Sequence, residues 1–183
     1  MRTLAITQNI TVDGSIEMLG DWFDPQDANL QDVNEFMERE DRDNDAILLG
    51  RRTFEDFRGY WPKQTDDTTG VTDQLNRIDK YVVSTTITDP EWDNTTVFSG
   101  DITEQVRELK SRSGKDIVVT GSITLSHVLI EAGLVDQYRL FQYPVVQGRG
   151  RRLFPDGYEI PKLKLLRSQT FASGITYSRY RPA

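Results

Sequence analysis

The hydrophobic positions of this chain fall into short continuous runs separated by longer amphipathic segments. Each run is bounded by polar residues or glycine, which is typical of strands that are covered on both faces of a sheet. The runs are residues 4–6, 46–49, 81–83 and 117–119. Helical spacing occurs between them, so strands and helices alternate along the chain. This alternation predicts a central parallel sheet with right-handed crossover connections.

The segment after the first run predicts a helix that covers one face of this sheet. Asp24 and Pro25 form a cap and first-turn pair, and the apolar residues Leu30, Val33 and Met37 follow at helical spacing. Proline is favoured at the first position of a helix because its missing N–H is not needed there.

Two further helices and one irregular segment complete the first two thirds of the chain. Asp101 with Glu104 is a capping pair that opens one helix, and Ser122 opens another that stops at Gly133. The polar stretch of residues 64–79 predicts an extended surface connection with a short helical piece.

The last third of the chain has a different pattern of residues. Residues 137–146 are aromatic and prone to form a strand, and residues 162–172 return through a Ser-Gly turn into residues 175–181. This pattern predicts an antiparallel hairpin. We therefore expect one α/β domain over residues 1–183, with a mostly parallel central sheet, flanking helices and an antiparallel C-terminal hairpin.

Composition narrows the classes of function. The chain has 22 Lys and Arg against 29 Asp and Glu, and this net charge of −7 disfavours binding to nucleic acid. It has no Cys and a single His, so a disulfide framework and the common zinc sites are excluded, and we expect no metal. His127 lies off the apolar stripe of its helix, so we expect it to face solvent. Without a signal-peptide core or a membrane-spanning run, a cytoplasmic protein is expected.

The most informative local pattern is a buried strand that ends in glycine and passes into a helix. Residues 50–55 read Gly-Arg-Arg-Thr-Phe-Glu, so the first helical turn carries Arg51 and Arg52. Backbone N–H groups at a helix start attract anions, and guanidinium groups add bidentate contacts to phosphate. The alternative is that Arg51 and Arg52 pair with the nearby carboxylates of Glu55 and Asp56.

A second segment of the same kind supports the anion site. Residues 117–122 are another buried strand that ends in Gly-Ser at a helix start. Two helix starts on neighbouring parallel strands suit a pyrophosphate, as in a dinucleotide. Residues 84–86, Ser-Thr-Thr, add hydroxyl groups at the same end of a third strand.

These motifs carry a family resemblance that covers nearly the whole chain. Residues 50–55 resemble the Gly-Arg-x-Thr-aromatic-Glu segment of dihydrofolate reductases, and residues 119–122 resemble their later Gly-Gly segment. Residues 11–14, 60–62 and 144–154 are more specifically similar to the reductase domain of the bifunctional riboflavin-biosynthesis deaminase/reductase and its stand-alone relatives. The resemblance implies a dihydrofolate-reductase-like fold, NADPH as cofactor, and a homodimer.

The resemblance also implies roles for individual residues. Arg51 would face the adenosine 2′-phosphate, with Arg52 and Thr53 on the other phosphates beside Gly50. Ser84 and Thr85 would lie on the adenosine side. The pyrophosphate would be lined by Gly121, Ser122, Ile123 and Thr124.

Fewer residues are predicted for the substrate half of the site than for the cofactor half. Asp13, Trp22, Tyr60 and Trp61 are the pocket candidates, and Asp13 is also the candidate for catalysis. Each has a second interpretation, because Asp13 with Gly14 is a turn signal and aromatic pairs commonly pack in a core.

The predicted function is an NADPH-dependent reductase of a small heterocyclic, carbonyl or imine substrate. The resemblance implies a function similar to that of 5-amino-6-(5-phosphoribosylamino)uracil reductase. One alternative is a nucleotide-binding module of the same fold without turnover. Another is a structural homodimer in which the C-terminal strands pair across chains and use the aromatic run Tyr138, Phe141 and Tyr143.

Overall fold

The computed structural model describes residues 1–24, 27–67 and 69–183. The strands are β1 (Leu4–Thr11), β2 (Asn44–Gly50), β3 (Asp79–Val83), β4 (Thr95–Phe98), β5 (Asp116–Val119), β6 (Gln137–Tyr143), β7 (Leu163–Thr170) and β8 (Thr176–Pro182). The helices are α1 (Gln31–Asp41), α2 (Arg51–Tyr60), α3 (Val71–Arg77), α4 (Ile102–Ser111) and α5 (Ile123–Glu131). No helix within the described ranges is long and apolar enough to cross a membrane.

All eight strands belong to one sheet, in the order β4-β3-β2-β5-β1-β6-β8-β7. The first six of these strands are parallel to one another, and β8 runs antiparallel to both of its neighbours. This arrangement confirms the predicted mostly parallel sheet with its antiparallel hairpin. The four apolar runs lie in β1, β2, β3 and β5. Strand β4 was not predicted, because this edge strand has only four residues and just one of them, Phe98, is buried.

The helix starts agree with the sequence pattern in part. Asp101 caps α4 as predicted, since its carboxylate accepts a hydrogen bond of 3.1 Å from the backbone N–H of Glu104. The first helix is different, because Asp27 rather than Asp24 is the cap and it serves a short 3-10 helix, Ala28–Leu30. The regular helix α1 starts only at Gln31, and Pro25 lies outside the described residues.

Residues 64–79 contain the short helix that was expected there, but it is more than a surface connection. Leu75 of α3 is buried together with Phe54 of α2 and Val82 of β3. Burial of these apolar side chains stabilises the packing of α3 against the sheet. The segment therefore contributes to the core.

The two faces of the sheet are covered by different helices. Helices α4 and α5 pack on one face through Val106, Leu109, Leu125 and Leu129. On the other face, α1 packs against β6 and β8 through Phe36, Phe141 and Tyr177, whereas α2 and α3 pack on β2 and β3. These are two separate apolar clusters, and the strands β5 and β1 lie between them.

Three arginines lie opposite one another on the last three strands and face the end of α1. Arg179 of β8 is in register with Arg139 of β6 and with Arg167 of β7. Like charges at opposed positions are destabilising unless they are compensated. Glu40 of α1 accepts hydrogen bonds from Arg179 and, at 2.7 Å, from Arg167, while Arg139 pairs with Asp116. These contacts attach the end of α1 to the C-terminal strands.

The expected contact between chains through the aromatic run is wrong. Tyr138, Phe141 and Tyr143 are only 2%, 2% and 6% exposed, because each packs inside the protein beneath the helices. Side chains that are buried within one chain have no surface left to offer to a second copy.

We predict that Glu40→Gln lowers the free energy of unfolding by about 2 kcal/mol, because it leaves two arginines without their shared carboxylate. Urea unfolding followed by circular dichroism measures this loss. Glu38→Gln is the matched control on the same helix, since Glu38 pairs with Arg42 in solvent. Its effect should stay within about 0.5 kcal/mol. Equal losses of unfolding free energy in the two variants would contradict the proposed contribution of Glu40 to stability.

Candidate functional site

The carboxyl ends of the parallel strands bring most of the predicted site residues to one edge of the sheet. Because β1, β5, β2 and β3 are neighbours and parallel, the segments that follow them lie side by side. These segments contain Asp13 after β1, Gly121–Thr124 after β5, Arg51–Thr53 after β2, and Ser84 and Thr85 after β3. This edge is the candidate site.

Two hydrogen bonds join the start of α2 to the start of α5. The backbone N–H of Gly50 donates to the Ser122 hydroxyl at 2.9 Å, and the backbone N–H of Ser122 donates to the Thr53 hydroxyl at 3.0 Å. Gly121 completes this contact, because a Cβ atom there would lie 2.9 Å from the Thr53 methyl group. We call this contact the interlock, and it fixes the two helix starts side by side.

Ser122 opens α5 as its sequence position predicted, but its hydroxyl does not cap the helix. It has a left-handed backbone with φ of 50°, and its side chain makes no capping hydrogen bond to α5. Its hydroxyl instead accepts from Gly50 on the neighbouring strand. A left-handed conformation at a non-glycine residue is strained and is common at functional sites.

The two adjacent helix starts leave unpaired backbone donors. The first-turn N–H groups of a helix have no partner within the helix, and the partial positive charge of the helix dipole is greatest there. Thr124 is exposed at the start of α5, whereas the Ile123 side chain packs against the core. Ile123 therefore offers only its backbone to a ligand.

The two arginines of the first turn of α2 behave differently. Arg51 donates to Glu55 at 2.8 Å. The alternative stated for this residue, pairing with a nearby carboxylate, is therefore seen in the structure. A guanidinium group has five N–H donors, and others remain for a ligand. Arg52 is exposed and makes no ion pair or side-chain hydrogen bond with any residue that the structure describes.

A cavity of about 300 Å³ opens between the ends of β3 and β4, with Arg51 in its wall. Ser84, Thr85, Phe98 and Ile102 also line it. The volume is at the lower limit for small-molecule pockets. The Ser84 hydroxyl accepts from the backbone N–H groups of Thr86 and Ile87 at 3.1 and 3.0 Å, so it shapes the wall of the cavity. The cavity is thus lined by predicted cofactor-binding residues that follow two different strands, β2 and β3.

Asp13 is held by three donors at the end of β1. Its carboxylate accepts from the Thr11 hydroxyl at 2.6 Å and from the backbone N–H groups of Gln147 and Gly148 at 3.1 and 2.7 Å. These hydrogen bonds, the one from Thr11 above all, lower the pKa of Asp13 from 3.8 to about 2. An ionised carboxylate has no proton to donate, so the contacts support the turn interpretation.

Gln147 is the residue of this edge that sequence reasoning did not single out. Its side-chain oxygen accepts from the Trp22 indole at 2.8 Å and from the backbone N–H of Leu19 at 3.2 Å. Its side-chain nitrogen donates to the Ser15 hydroxyl and to the Glu17 carbonyl, each at 2.9 Å. The only sequence signal was its place within residues 144–154, one of the segments that carried the family resemblance.

Gln147 thereby holds the loop that carries Trp22. The indole also packs edge-on against Tyr143, with ring centroids 5.2 Å apart. The structure thus places the two substrate-site candidates Asp13 and Trp22 at the candidate site.

The structure does not bring Tyr60 and Trp61 to this edge. Tyr60 is the last of the ten residues of α2 and Trp61 follows it, so about 15 Å of helix separates them from Arg51. Trp61 is 8% exposed and belongs to the core beneath α2 and α3. Trp61 therefore packs in the core, which was the second interpretation of this aromatic pair. Tyr60, beside it, is 40% exposed.

His127 does not point freely into solvent as expected. Its ring is half-buried, and Nε2 lies 2.9 Å from the backbone carbonyl of Arg152, to which it donates. His127 therefore joins α5 to the loop between β6 and β7.

Three solved structures share this architecture at low sequence identity. The putative riboflavin biosynthesis protein from Shewanella sp. PV-4 superposes with a TM-score of 0.71 at 17% identity, over 99% of each chain. A pyrimidine reductase-like protein from Corynebacterium diphtheriae gives 0.66 at 16% identity, over 100% of this chain and 92% of that one. Dihydrofolate reductase from Enterococcus faecalis gives 0.62 at 14% identity, over 98% and 95%. The fold is therefore dihydrofolate-reductase-like, which is a reductase-type fold.

Sequence comparison places the chain in one family within this class. The chain belongs to the RibD C-terminal domain family, whose model matches residues 2–177. Protein YyaP of Bacillus subtilis (strain 168) is 35% identical over 187 aligned positions, which cover 98% of this chain and 94% of that protein. These findings confirm the resemblance inferred from the motifs.

We predict that Gly121→Ala destabilises the protein more than Gly133→Ala does. Both glycines have positive φ, which costs alanine about 1–2 kcal/mol, but nothing lies within 4 Å of a Cβ at Gly133. The contact with Thr53 should add about 1–2 kcal/mol at Gly121. Urea unfolding measures both variants. Adding Thr53→Ser, which removes the methyl group and keeps the hydroxyl, should recover this extra loss, and a failure to do so would argue against the interlock.

We also predict that the Asp13 carboxyl titrates near pH 2 in the folded protein, as measured by carbon NMR. Because its folded pKa is lowered, its contribution to stability is complete above its ordinary pKa and is lost as the pH falls towards 2. The unfolding midpoint of Asp13→Asn should therefore change less between pH 4 and pH 2 than that of the native protein. Thr11→Val should raise the pKa of Asp13 towards its ordinary value. An unchanged pKa there would contradict the assigned cause.

Proposed function

We propose that this protein is a reductase that uses NADPH to reduce a small heterocyclic, carbonyl or imine substrate, similar to 5-amino-6-(5-phosphoribosylamino)uracil reductase. The observation that carries the proposal is the interlock, which sets two helix starts with unpaired N–H groups beside each other at the carboxyl edge of the sheet. Membership of the RibD C-terminal domain family supports a reductase.

The residues at this edge fit a nicotinamide dinucleotide. The first-turn N–H groups of Arg51, Arg52, Ile123 and Thr124 and the Thr53 hydroxyl would hold phosphates. Gly50, Gly121 and Ser122 would line the same edge, with the N–H groups of Gly50 and Ser122 engaged in the interlock. Arg52 has no ion-pair partner among the described residues, so its charge is available to a phosphate as well. When bound, such a cofactor supplies a hydride, and the protein contributes binding and orientation.

The cavity beside Arg51 supports NADPH rather than NADH. Ser84 and Thr85 would lie on the adenosine side, with Arg51 against the 2′-phosphate. The pairing of Arg51 with Glu55 holds the guanidinium at the cavity and leaves other N–H donors for the phosphate. The dihydrofolate reductase from Enterococcus faecalis, which has the same fold, is described in complex with NADP(H).

The substrate would bind between this cofactor site and the loop held by Gln147. Asp13 and Trp22 are the proposed contacts there, and Asp13 would act as a hydrogen-bond acceptor because it stays ionised at neutral pH. A proton for the reduced product would come from solvent or from another group. A cytoplasmic location and a homodimer remain part of the proposal.

We expect NADPH to raise the stability of the protein by about 2.7 kcal/mol at one hundred times its dissociation constant, since a ligand of the folded state shifts the unfolding equilibrium. Arg51→Gln should weaken NADPH binding about tenfold, because it removes a charge-assisted hydrogen bond at a half-exposed position. It should leave the weaker binding of NADH nearly unchanged. Thermal-shift titrations and isothermal calorimetry measure both constants.

The matched control is Arg112→Gln. Arg112 is paired with Glu108 four positions earlier at 2.8 Å, at a similar exposure, but it lies at the end of α4. NADPH binding that is lost equally in both variants, or is absent from the native protein, would overturn the assignment. Binding without oxidation of NADPH across a panel of heterocycles would favour the alternative of a nucleotide-binding module.

A further inference from the structure

A second cavity of about 300 Å³ lies between α1 and α3. These two helices lead directly into β2 and β3, so the cavity lies towards the amino ends of those strands, at the edge of the sheet opposite to the candidate site. Met37 and Val71 in its walls also pack against the two apolar clusters of this face. The cavity is therefore separate from the proposed cofactor site.

Asp41, the last residue of α1, brings a half-buried carboxylate to this cavity. Its Oδ1 accepts a hydrogen bond of 3.0 Å from the side-chain N–H of Asn44, whose oxygen in turn accepts from Arg139 at 3.0 Å. The preceding residue, Glu40, pairs with two arginines, whereas Asp41 makes no ion pair with any residue that the structure describes. A carboxylate that is partly removed from water without a cation is costly.

The other charged side chains of the cavity lie at its exposed rim and offset one another. Glu38 pairs with Arg42 at 3.1 Å in solvent. Asp73 and Arg77 have opposite charges and lie four positions apart on α3, a spacing at which side chains are neighbours. The lining thus has three carboxylates and two guanidinium groups, and the net negative charge that remains is that of Asp41.

Two carboxamides line the cavity together with Asp41. Gln74 donates a hydrogen bond to Asp41 through its side-chain N–H, so its side-chain oxygen is left as an acceptor. The half-buried Asn34 side chain makes no hydrogen bond within the part of the chain that the structure describes. Half-buried polar groups of this kind bind water or a ligand. The cavity therefore offers one carboxylate and two amide oxygens, beside the apolar side chains of Met37 and Val71.

We propose that this cavity binds a small molecule that carries a primary ammonium group on a short aliphatic chain. An ammonium group has three N–H donors, which match the Asp41 carboxylate and the side-chain oxygens of Asn34 and Gln74. It also supplies the cation that Asp41 lacks, in surroundings where an ion pair is stronger than in water. A metal ion is a poorer match, since the described residues contain no group of three acidic, His or Cys side chains that could hold one.

The probes are n-butylamine, which is charged at neutral pH, and 1-butanol, which has nearly the same shape and no charge. Carbon NMR follows the Asp41 carboxyl signal, identified by its absence from Asp41→Asn. We expect n-butylamine to shift this signal and to bind about tenfold more tightly than 1-butanol, the difference of one charge-assisted hydrogen bond.

Binding of n-butylamine should also depend on the charge of Asp41. Burial raises the pKa of Asp41 to about 6, so its carboxylate is ionised above this pH and becomes neutral below it. The affinity for n-butylamine should therefore be complete at neutral pH and fall by about tenfold per pH unit well below pH 6. Bound n-butylamine should in turn lower the pKa of Asp41, because a cation favours the ionised form.

Two variants and a control test the assigned residues. Asp41→Asn keeps the shape of the side chain and should bind both probes with the same weak affinity. Asn34→Leu removes one acceptor and no charge, so it should weaken n-butylamine to a smaller extent. Asp43→Asn is the matched control, because Asp43 is an exposed acid two positions after Asp41 and outside the cavity lining, and it should change neither probe. Thermal unfolding followed by circular dichroism shows that each variant is folded.

Equal binding of the two probes to the native protein, equal n-butylamine binding in Asp41→Asn, or no n-butylamine binding at millimolar concentration would overturn the inference. The inference goes beyond the proposed reductase, and its test needs neither NADPH nor a substrate. Asp41→Asn should bind NADPH as the native protein does, because Asp41 lies at the opposite edge of the sheet. If n-butylamine binds as expected and NADPH does not bind, the inference stands and the proposed cofactor is wrong.

Discussion

Two hydrogen bonds between the start of α2 and the start of α5 fix the geometry on which the candidate site depends. The residues they join are 72 and 69 positions apart, so the contact exists only in the folded sheet. Both helix starts carry a partial positive charge, and without a fixed connection these charges would push them apart. Gly121 allows the close approach, because a side chain there would collide with Thr53. The same residues that could bind an anion thus hold each other in place.

The central part of the fold could be predicted because its signals are local. A strand covered on both faces needs a continuous apolar run, and an Asp three positions before its target N–H caps a helix. Ser122 shows where this reasoning ends. Its sequence position suits a cap, but its hydroxyl bonds to a strand that is distant in sequence. The edge strand β4 was missed for another reason, since four residues with a single buried side chain leave too little hydrophobic pattern.

In the candidate site, too, the residues with local sequence signals were predicted and those that depend on long-range contacts were not. Glycine at a strand-to-helix junction is a signal contained within a few residues, so both helix starts were predicted. The contribution of Gln147 depends on two loops that meet only in the folded protein. Trp61 carries an aromatic signal, but the direction of α2 takes it to the opposite end of the sheet and into the core.

The row of opposed arginines has a consequence for the order of folding. Glu40 is made early during synthesis, yet its partners Arg167 and Arg179 come 127 and 139 residues later. The end of α1 neutralises the positive charges of β7 and β8, whereas Arg139 of β6 is neutralised by Asp116. Such distant pairings make closure of the chain slow, because the entropy of a long loop is lost before the contact is gained. We therefore expect the sheet to form cooperatively and late, with the N-terminal helix and the C-terminal hairpin docking in a single step.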